Sequence, residues 1–207
     1  MITVTSILEC EKYLEDIDAV IFDLDDTLYS EKNYVRSGYS AVSKAFPKVR
    51  DMDIKLWNAF ENKLLAIDYV LSEAGMFEYK AQALDIYRNH IPDITLYGGV
   101  EELLQRLSKC KRLGMITDGR PEGQKAKITA LNIGQYFERI IITDELGGVQ
   151  FRKPDKHSFI MMQKAFNVPF DRMVYIGDNL SKDFIAPMSL GMKVVHFNNP
   201  DGLYSTI

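Results

Sequence analysis

Two aspartates, Asp23 and Asp25, directly follow the apolar run at residues 19–22. A run this apolar predicts a strand that is buried on both faces, as in a parallel sheet. Side chains that follow such strands lie at the carboxyl edge of an open α/β sheet, where these folds bind ligands. The same Asp-x-Asp spacing recurs twice in the chain without a preceding apolar run, and those pairs are interpreted as solvated carboxylates. Position, and not spacing, makes Asp23 and Asp25 candidates for chemistry.

Three further segments carry polar residues at or near predicted strand ends. Because parallel strands end at one edge of a sheet, these residues can converge although they are distant in sequence. The segments are Thr117-Asp118-Gly119 after one strand, Lys153-Pro154 in a loop before a helix, and Gly177-Asp178-Asn179 with Asp183 after another strand.

The reaction that these residue types could support is phosphoryl transfer through an aspartate. A carboxylate nucleophile can accept a phosphoryl group and thereby split one difficult step into two easier ones. Because a phosphate ester repels an anionic nucleophile, a hard cation is required, and Mg²⁺ prefers carboxylates, water and phosphate oxygens. Asp23 and Asp178 could supply the carboxylates.

Three other roles remain in such a reaction. Thr117 could donate its hydroxyl to a phosphoryl oxygen, and Lys153 could offset negative charge as a compact cation. Asp25 could protonate the leaving alkoxide and later deprotonate water. Its negative neighbours should raise its pKa and favour the protonated form that an acid needs.

Each of these segments also has a purely structural interpretation. Thr117-Asp118-Gly119 could be an ordinary turn, since Asp-Gly favours turns. Lys153 could be a loop lysine before a helix that Asp155 caps. Asp183 could complement a helix amino terminus that begins at Ser181. The functional interpretation is favoured because independent strand ends carry the residue types that one reaction requires.

The elements expected to position these residues form an α/β fold. Strands and helices alternate from residue 98 onward, which predicts a parallel sheet with right-handed crossovers. Residues 30–95 contain apolar residues at helical spacing and predict a helical domain inserted after the first strand, between core segments 1–29 and 96–207. Strands are expected at 19–22, 113–117, 139–142, 173–176 and 193–197, and helices at 6–15, 31–46, 52–74, 77–89, 100–109, 123–131, 157–166 and 181–190.

Composition limits the class of protein. With 207 residues, 46% of them hydrophobic, the chain can bury a core as one domain or as one domain with an insertion. A net charge of −4 without a dense Lys/Arg stripe argues against nucleic-acid binding. Two cysteines, Cys10 and Cys110, lack disulfide-framework or metal-site spacing, and neither a signal peptide nor a bilayer-spanning run is recognised. We expect a cytoplasmic monomer or weak dimer that binds no membrane.

Taken together, the motifs resemble those of the haloacid dehalogenase-like hydrolases. The first family motif matches residues 23–28, the second Thr117-Asp118-Gly119, the third Lys153-Pro154, and the fourth Gly177-Asp178-Asn179 with Asp183. The resemblance spans residues 18–197 with the four motifs in family order.

This resemblance implies a Rossmann-like core with Asp23 as nucleophile and Asp25 as general acid/base. It implies Mg²⁺ held by Asp23, the backbone carbonyl of Asp25 and Asp178, with Asp183 supporting the site. Thr117, Asp118, Gly119 and Lys153 would bind phosphate, with Asp118 acting through its backbone because the family commonly has Asn there. The inserted helices resemble an alpha-helical cap, and residues 97–99 resemble its hinge into the core.

The leading hypothesis is a Mg²⁺-dependent phosphatase acting on a small phosphorylated metabolite, such as a sugar phosphate or a nucleotide-like compound. Asp25 favours a phosphatase, because true dehalogenases lack the second aspartate of the first motif. Alternatives are a phosphomutase similar to beta-phosphoglucomutase, a regulatory receiver domain, and a catalytically silent binding module. The substrate is left open. Residues that could line a substrate cleft, or equally cover a helix surface, are Tyr29, Lys32, Tyr34, Arg36 and Arg120.

Overall fold

The computed structural model describes residues 1–203, which contain a six-stranded, fully parallel sheet. The strands are β1 (Ile2–Val4), β2 (Ala19–Phe22), β3 (Arg112–Thr117), β4 (Arg139–Ile142), β5 (Met173–Gly177) and β6 (Lys193–Phe197). Their order in the sheet is β1-β6-β5-β2-β3-β4, so the chain runs outward from β2 on one side and then crosses to the other. This confirms the predicted α/β class with a Rossmann-like parallel sheet.

Strand β2 lies in the middle of the sheet and is fully buried. In register, Phe22 pairs with Met115 of β3 on one side and with Ile176 of β5 on the other. The N–H of Asp23 continues this pairing by donating to the carbonyl of Ile176 at 2.9 Å. From β2 the chain continues to β3 and β4 on one side, and β5 and β6 lie on the other. The carboxyl end of β2 therefore lies at the switch point of the strand order, where open α/β sheets bind ligands.

The described residues contain eight α-helices. They are α1 (Glu31–Ala45), α2 (Met52–Glu61), α3 (Ala66–Glu73), α4 (Lys80–Asn89), α5 (Val100–Leu107), α6 (Pro121–Ala130), α7 (His157–Phe166) and α8 (Ile185–Ser189). The helix α7 packs against one face, where Phe159, Met162 and Phe166 join a buried cluster with Ile21 and Tyr175. Because side chains alternate along a strand, the neighbours of Ile21 in β2 face the opposite side, and they are also fully buried.

The chain divides into two compact units, one of residues 1–31 with the residues from 95 onward, and one of residues 32–94. The first contains the sheet. The second is helical and has its own apolar core, in which Leu56, Leu71 and Val42 are fully buried. Among the described residues 1–203, no helix is both long enough and apolar enough to cross a membrane.

The structure differs from the prediction at several elements. The strand β1 was not predicted, because three residues at the sheet edge give too short a pattern to detect. The predicted helix at 52–74 is interrupted, since α2 ends at Glu61 and Lys63 adopts a left-handed conformation with φ 58°. The predicted helix at 6–15 is a 3₁₀ helix over Ile7–Tyr13.

Candidate active site

Lys153 is the cation at the centre of the site. Its Nζ lies 2.6 Å from Oδ1 of Asp23, 2.8 Å from Oδ1 of Asp183 and 2.8 Å from the hydroxyl of Tyr175. The lysine side chain is fully buried. It donates hydrogen bonds to Asp23 and to Tyr175, whereas its contact with Asp183 is an ion pair without a well-aligned hydrogen bond. The predicted convergence of Lys153 on the end of β2 is therefore present in the structure. Its pKa lies well above the ordinary value, because Asp183 and Asp23 outweigh the effect of burial.

Three buried carboxylates, those of Asp23, Asp178 and Asp183, form a cluster beside Lys153. Each offers an oxygen, and these oxygens lie within 4.8 Å of one another. Burial, offset only in part by Lys153, raises the pKa of Asp23 to about 7. Burial, Asp23 and Asp183 together raise the pKa of Asp178 to about 9. These raised pKa values mean that the cluster, without a further positive charge, holds protons near neutral pH.

This donor set fits a hard divalent cation. Oxygen ligands from carboxylates are those that Mg²⁺ prefers, and a group of closely spaced buried carboxylates is costly without a compensating charge. Asp23, Asp178 and Asp183 are all among the residues predicted from the sequence. Asp25, the fourth predicted metal residue, directs its side chain elsewhere, which leaves its backbone carbonyl for the metal role predicted from the resemblance.

Thr117 ends β3 and is completely buried. Its Oγ1 accepts a hydrogen bond from Nε2 of Gln124 at 2.5 Å. Since a hydroxyl has one proton to donate beyond the bonds it accepts, Thr117 remains able to donate to a phosphoryl oxygen. Gln124, in α6, was not predicted from the sequence.

Asp25 is bound by three donors. Lys127 Nζ lies 2.6 Å from Oδ1, the hydroxyl of Tyr29 donates to the same oxygen, and Gln124 Nε2 lies 2.8 Å from Oδ2. Although burial alone would raise the pKa of Asp25, Lys127, Tyr29 and Gln124 hold it below the ordinary value. The expectation that negative neighbours raise this pKa is therefore wrong for the protein without substrate. The reason is Lys127, whose approach through α6 gives no signal in the sequence.

Asp118 anchors the loop that carries Lys153. Its Oδ1 accepts from the Lys153 N–H at 3.1 Å and from the Thr143 hydroxyl at 2.8 Å, and Lys182 Nζ lies 3.4 Å from Oδ2. The side chain thus has a structural role that the comparison of motifs did not predict. The next residue, Gly119, has φ 131°, a backbone conformation that would raise the free energy of a residue with a side chain.

Asp183 lies in a turn and not in the first turn of a helix. The predicted helix at 181–190 is shorter, because α8 begins at Ile185. The side chain of Asn179 accepts from the backbone and hydroxyl of Ser181, at 3.0 and 2.6 Å, and so holds the preceding residues in a turn. Asp183 Oδ2 accepts from the Asn179 N–H at 2.9 Å. The helix-dipole interpretation of Asp183 is therefore wrong.

The five residues that could line a substrate cleft differ in burial and in their partners. Tyr29 is buried and binds Asp25, whereas Arg120 is exposed just before α6. In the helical unit, the guanidinium of Arg36 stacks over the Trp57 ring at 4.0 Å. In the same unit, Tyr34 is buried and Lys32 is half-buried. Asp155 does bind the start of α7, since its Oδ1 accepts from the His157 N–H at 2.8 Å, although the N-cap itself is Lys156.

The chain is similar in sequence to known hydrolases. The family model described as haloacid dehalogenase-like hydrolase matches residues 20–197. The chain belongs to this family. It is 30% identical to the glyceraldehyde 3-phosphate phosphatase of Pyrococcus abyssi, an alignment that covers 87% of this chain and 81% of the relative. It is 23% identical to a pyrimidine 5'-nucleotidase of Escherichia coli, over 91% of this chain and 92% of that protein.

Solved structures share the fold of this hydrolase. A haloacid dehalogenase-superfamily hydrolase from Geobacter sulfurreducens superposes with a TM-score of 0.71 at 16% identity, over 89% of each chain. The family model and the phosphatase relatives together make the chain a phosphoric monoester hydrolase. The predicted enzyme class is confirmed.

Proposed function

We propose that this hydrolase is a Mg²⁺-dependent phosphatase of a small phosphorylated metabolite, and that it acts through an aspartyl-phosphate on Asp23. The observation that carries the proposal is the pairing of the Asp23 carboxylate with buried Lys153, beside the carboxylates of Asp178 and Asp183. A nucleophile needs a fixed geometry and a nearby positive charge to meet an anionic ester, and this arrangement supplies both.

Asp23, Asp178 and Asp183 would hold the metal, which when bound supplies positive charge against the phosphoryl oxygens. An oxygen of Asp23 forms a bond to phosphorus as the bond to the leaving alkoxide breaks, and Asp25 gives that alkoxide a proton. Water then attacks the same phosphorus, Asp25 takes the proton, and the bond to Asp23 breaks to release phosphate. Thr117 and Lys153 stabilise the transferred group.

The helical unit at 32–94 is proposed to be a cap that selects the substrate and excludes water from the reaction. The relatives named above suggest where a search should begin, with a three-carbon aldehyde phosphate and with nucleoside monophosphates. Cys10 and Cys110, both within the described residues, are free thiols, which favours a reducing cytoplasm.

The test is a turnover screen. Purified protein with Mg²⁺ is incubated with a panel of aldose, ketose and nucleoside monophosphates, and phosphate release is measured. Isomer formation is followed in parallel on hexose phosphates, because a phosphomutase would produce the isomer and little free phosphate. Release of phosphate from one class of ester, absent in an Asp23→Asn protein, supports the proposal. Isomer without phosphate, or release that persists in Asp23→Asn, contradicts it.

A further inference from the structure

We infer that Lys127 is a positioning residue for proton transfer. By binding Oδ1 of Asp25, it leaves Oδ2 as the oxygen that gives up the proton and takes it back. This inference rests on the proposed function, in which Asp25 is the acid and base. Lys127 lies on α6, outside the motifs that the sequence singled out. Its Nζ lies 2.6 Å from Oδ1 of Asp25, and only 8% of its side chain is exposed.

Burial of this lysine needs an explanation. An ammonium group loses its hydration when it is buried, and such a loss is tolerated where the charge is paired and hydrogen-bonded. The neighbouring Lys125, on the same helix, instead extends into solvent with 63% of its side chain exposed and pairs with Glu145. Lys127 therefore turns inward toward Asp25, whereas Lys125 makes an ordinary surface ion pair.

Two side chains of α6 bind Asp25 together. Residues three apart lie on the same face of a helix, and Gln124 and Lys127 have this spacing. Gln124 Nε2 lies 2.8 Å from Oδ2 of Asp25 and also 2.5 Å from Oγ1 of Thr117. One helix face thus fixes the proposed acid relative to the hydroxyl that would bind the phosphoryl group.

The number of donors distinguishes the two oxygens of Asp25. Within the described part of the chain, Oδ1 receives both the Lys127 ammonium and the Tyr29 hydroxyl, whereas Oδ2 receives only the Gln124 amide. Each carboxylate oxygen has about two lone-pair directions. Both directions at Oδ1 are occupied, and one at Oδ2 remains. The proton that passes to the leaving alkoxide, and later returns from water, is therefore carried by Oδ2.

The experiment compares two leaving groups. p-Nitrophenolate is a weak base and leaves with little help from an acid, whereas an alkoxide must be protonated as it leaves. The ratio kcat/KM reports the steps up to formation of the phosphoenzyme. It is measured for p-nitrophenyl phosphate and for the best alkyl phosphate found in the screen, with the wild-type protein, Lys127→Met and the control Lys125→Met.

Because a well-placed general acid contributes about 10²–10⁴-fold, Lys127→Met should lose about tenfold or more on the alkyl ester. On p-nitrophenyl phosphate it should lose less than about threefold. Lys125→Met should match the wild-type protein on both esters. The inhibition constant of inorganic phosphate should be unchanged in Lys127→Met, since the phosphate-binding groups are untouched.

Equal losses on the two esters would overturn the inference, because they would make Lys127 a general support of the fold or of substrate binding. Weaker inhibition by phosphate would overturn it in favour of a direct phosphate contact.

If Lys127→Met does not fold, as judged by circular dichroism, Lys127→Arg keeps the charge and displaces the carboxylate by its larger head group. It should show the same selective loss, smaller in size, and an equal loss on both esters would again overturn the inference. A wild-type protein that releases no phosphate from either ester would instead contradict the proposed function itself.

Discussion

Gly177 lies directly beneath the carboxylate of Asp183, and a Cβ added to Gly177 would be 2.5 Å from Oδ2 of Asp183. Such a distance is shorter than any real contact, so one of the two residues must shift when a side chain is present. Asp183 is fully buried and is held by Lys153 and by the Asn179 N–H, so it has little room to move. The glycine at the end of β5 is therefore what allows the third carboxylate to reach the cluster.

The first prediction follows from that contact. Gly177→Ala should destabilise the protein by about 1–3 kcal/mol through overpacking, and should weaken Mg²⁺ binding because Asp183 is displaced. Thermal unfolding with and without Mg²⁺ measures both effects. Gly134→Ala is the matched control, since its added Cβ would meet only Ile128 at 3.6 Å. A Gly177→Ala protein with unchanged metal-dependent stabilisation would show that Asp183 does not contribute to the metal site.

The second prediction concerns the nucleophile. Asp23→Asn should abolish turnover of p-nitrophenyl phosphate, because an amide does not accept the phosphoryl group as a carboxylate does. The control is Asp18→Asn, since Asp18 forms an exposed ion pair with Arg172 at 2.5 Å. Continuous measurement of nitrophenol release provides the comparison. Full activity in the Asp23→Asn protein would remove Asp23 from the mechanism.

The third prediction separates the two half-reactions. Asp25→Asn keeps a side chain that Lys127 and Tyr29 can contact but removes the base that activates water. The phosphoenzyme should therefore accumulate or turn over very slowly, with a loss in kcat of about 10²–10⁴-fold. Mass spectrometry of the rapidly quenched protein would detect the added phosphoryl group. Rapid steady-state turnover in this variant would assign the base role to another residue.

The fourth prediction is that removal of the metal stops the reaction. EDTA should stop phosphate release, and excess Mg²⁺ should restore it, because the metal supplies the positive charge that the phosphoryl oxygens need in the reaction. Restoration with Ca²⁺ should be poorer, since Ca²⁺ prefers more ligands and a looser geometry than Mg²⁺. Undiminished turnover after dialysis against a chelator would count against the metal assignment.

The fifth prediction concerns pH and the metal-free protein. The pKa of Asp178 is raised to about 9 and that of Asp23 to about 7, so the folded state binds protons that the unfolded state has lost. Raised folded-state pKa values give stability at low pH that is lost as pH rises through them. In EDTA, the Tm should therefore fall between about pH 5 and pH 9. Asp178→Asn should flatten this dependence, and an equally steep fall in that variant would show that Asp178 is not its source.

Several elements could be predicted because their signal is local. The strands at 19–22, 139–142 and 193–197, and the helix at 157–166, have the predicted bounds. Apolar runs and helical spacing report burial directly, and burial is what these elements have in common. Predictions of helix bounds were wrong where a local hydrogen bond or a left-handed backbone conformation decided where a helix begins or ends. Asn179 delays the start of α8, and the left-handed Lys63 separates α2 from α3.

The sequence by itself determined which residues stand at the ends of the parallel strands, and hence that Asp23, Thr117 and Asp178 would share an edge. Only the tertiary structure decided how those residues are charged and oriented. Lys127 reaches Asp25 across 102 positions of the chain, and Lys153 reaches Asp23 across 130. The physical reason is that the direction of a side chain depends on how a helix crosses the sheet, and this crossing is set by packing among residues that no local pattern connects.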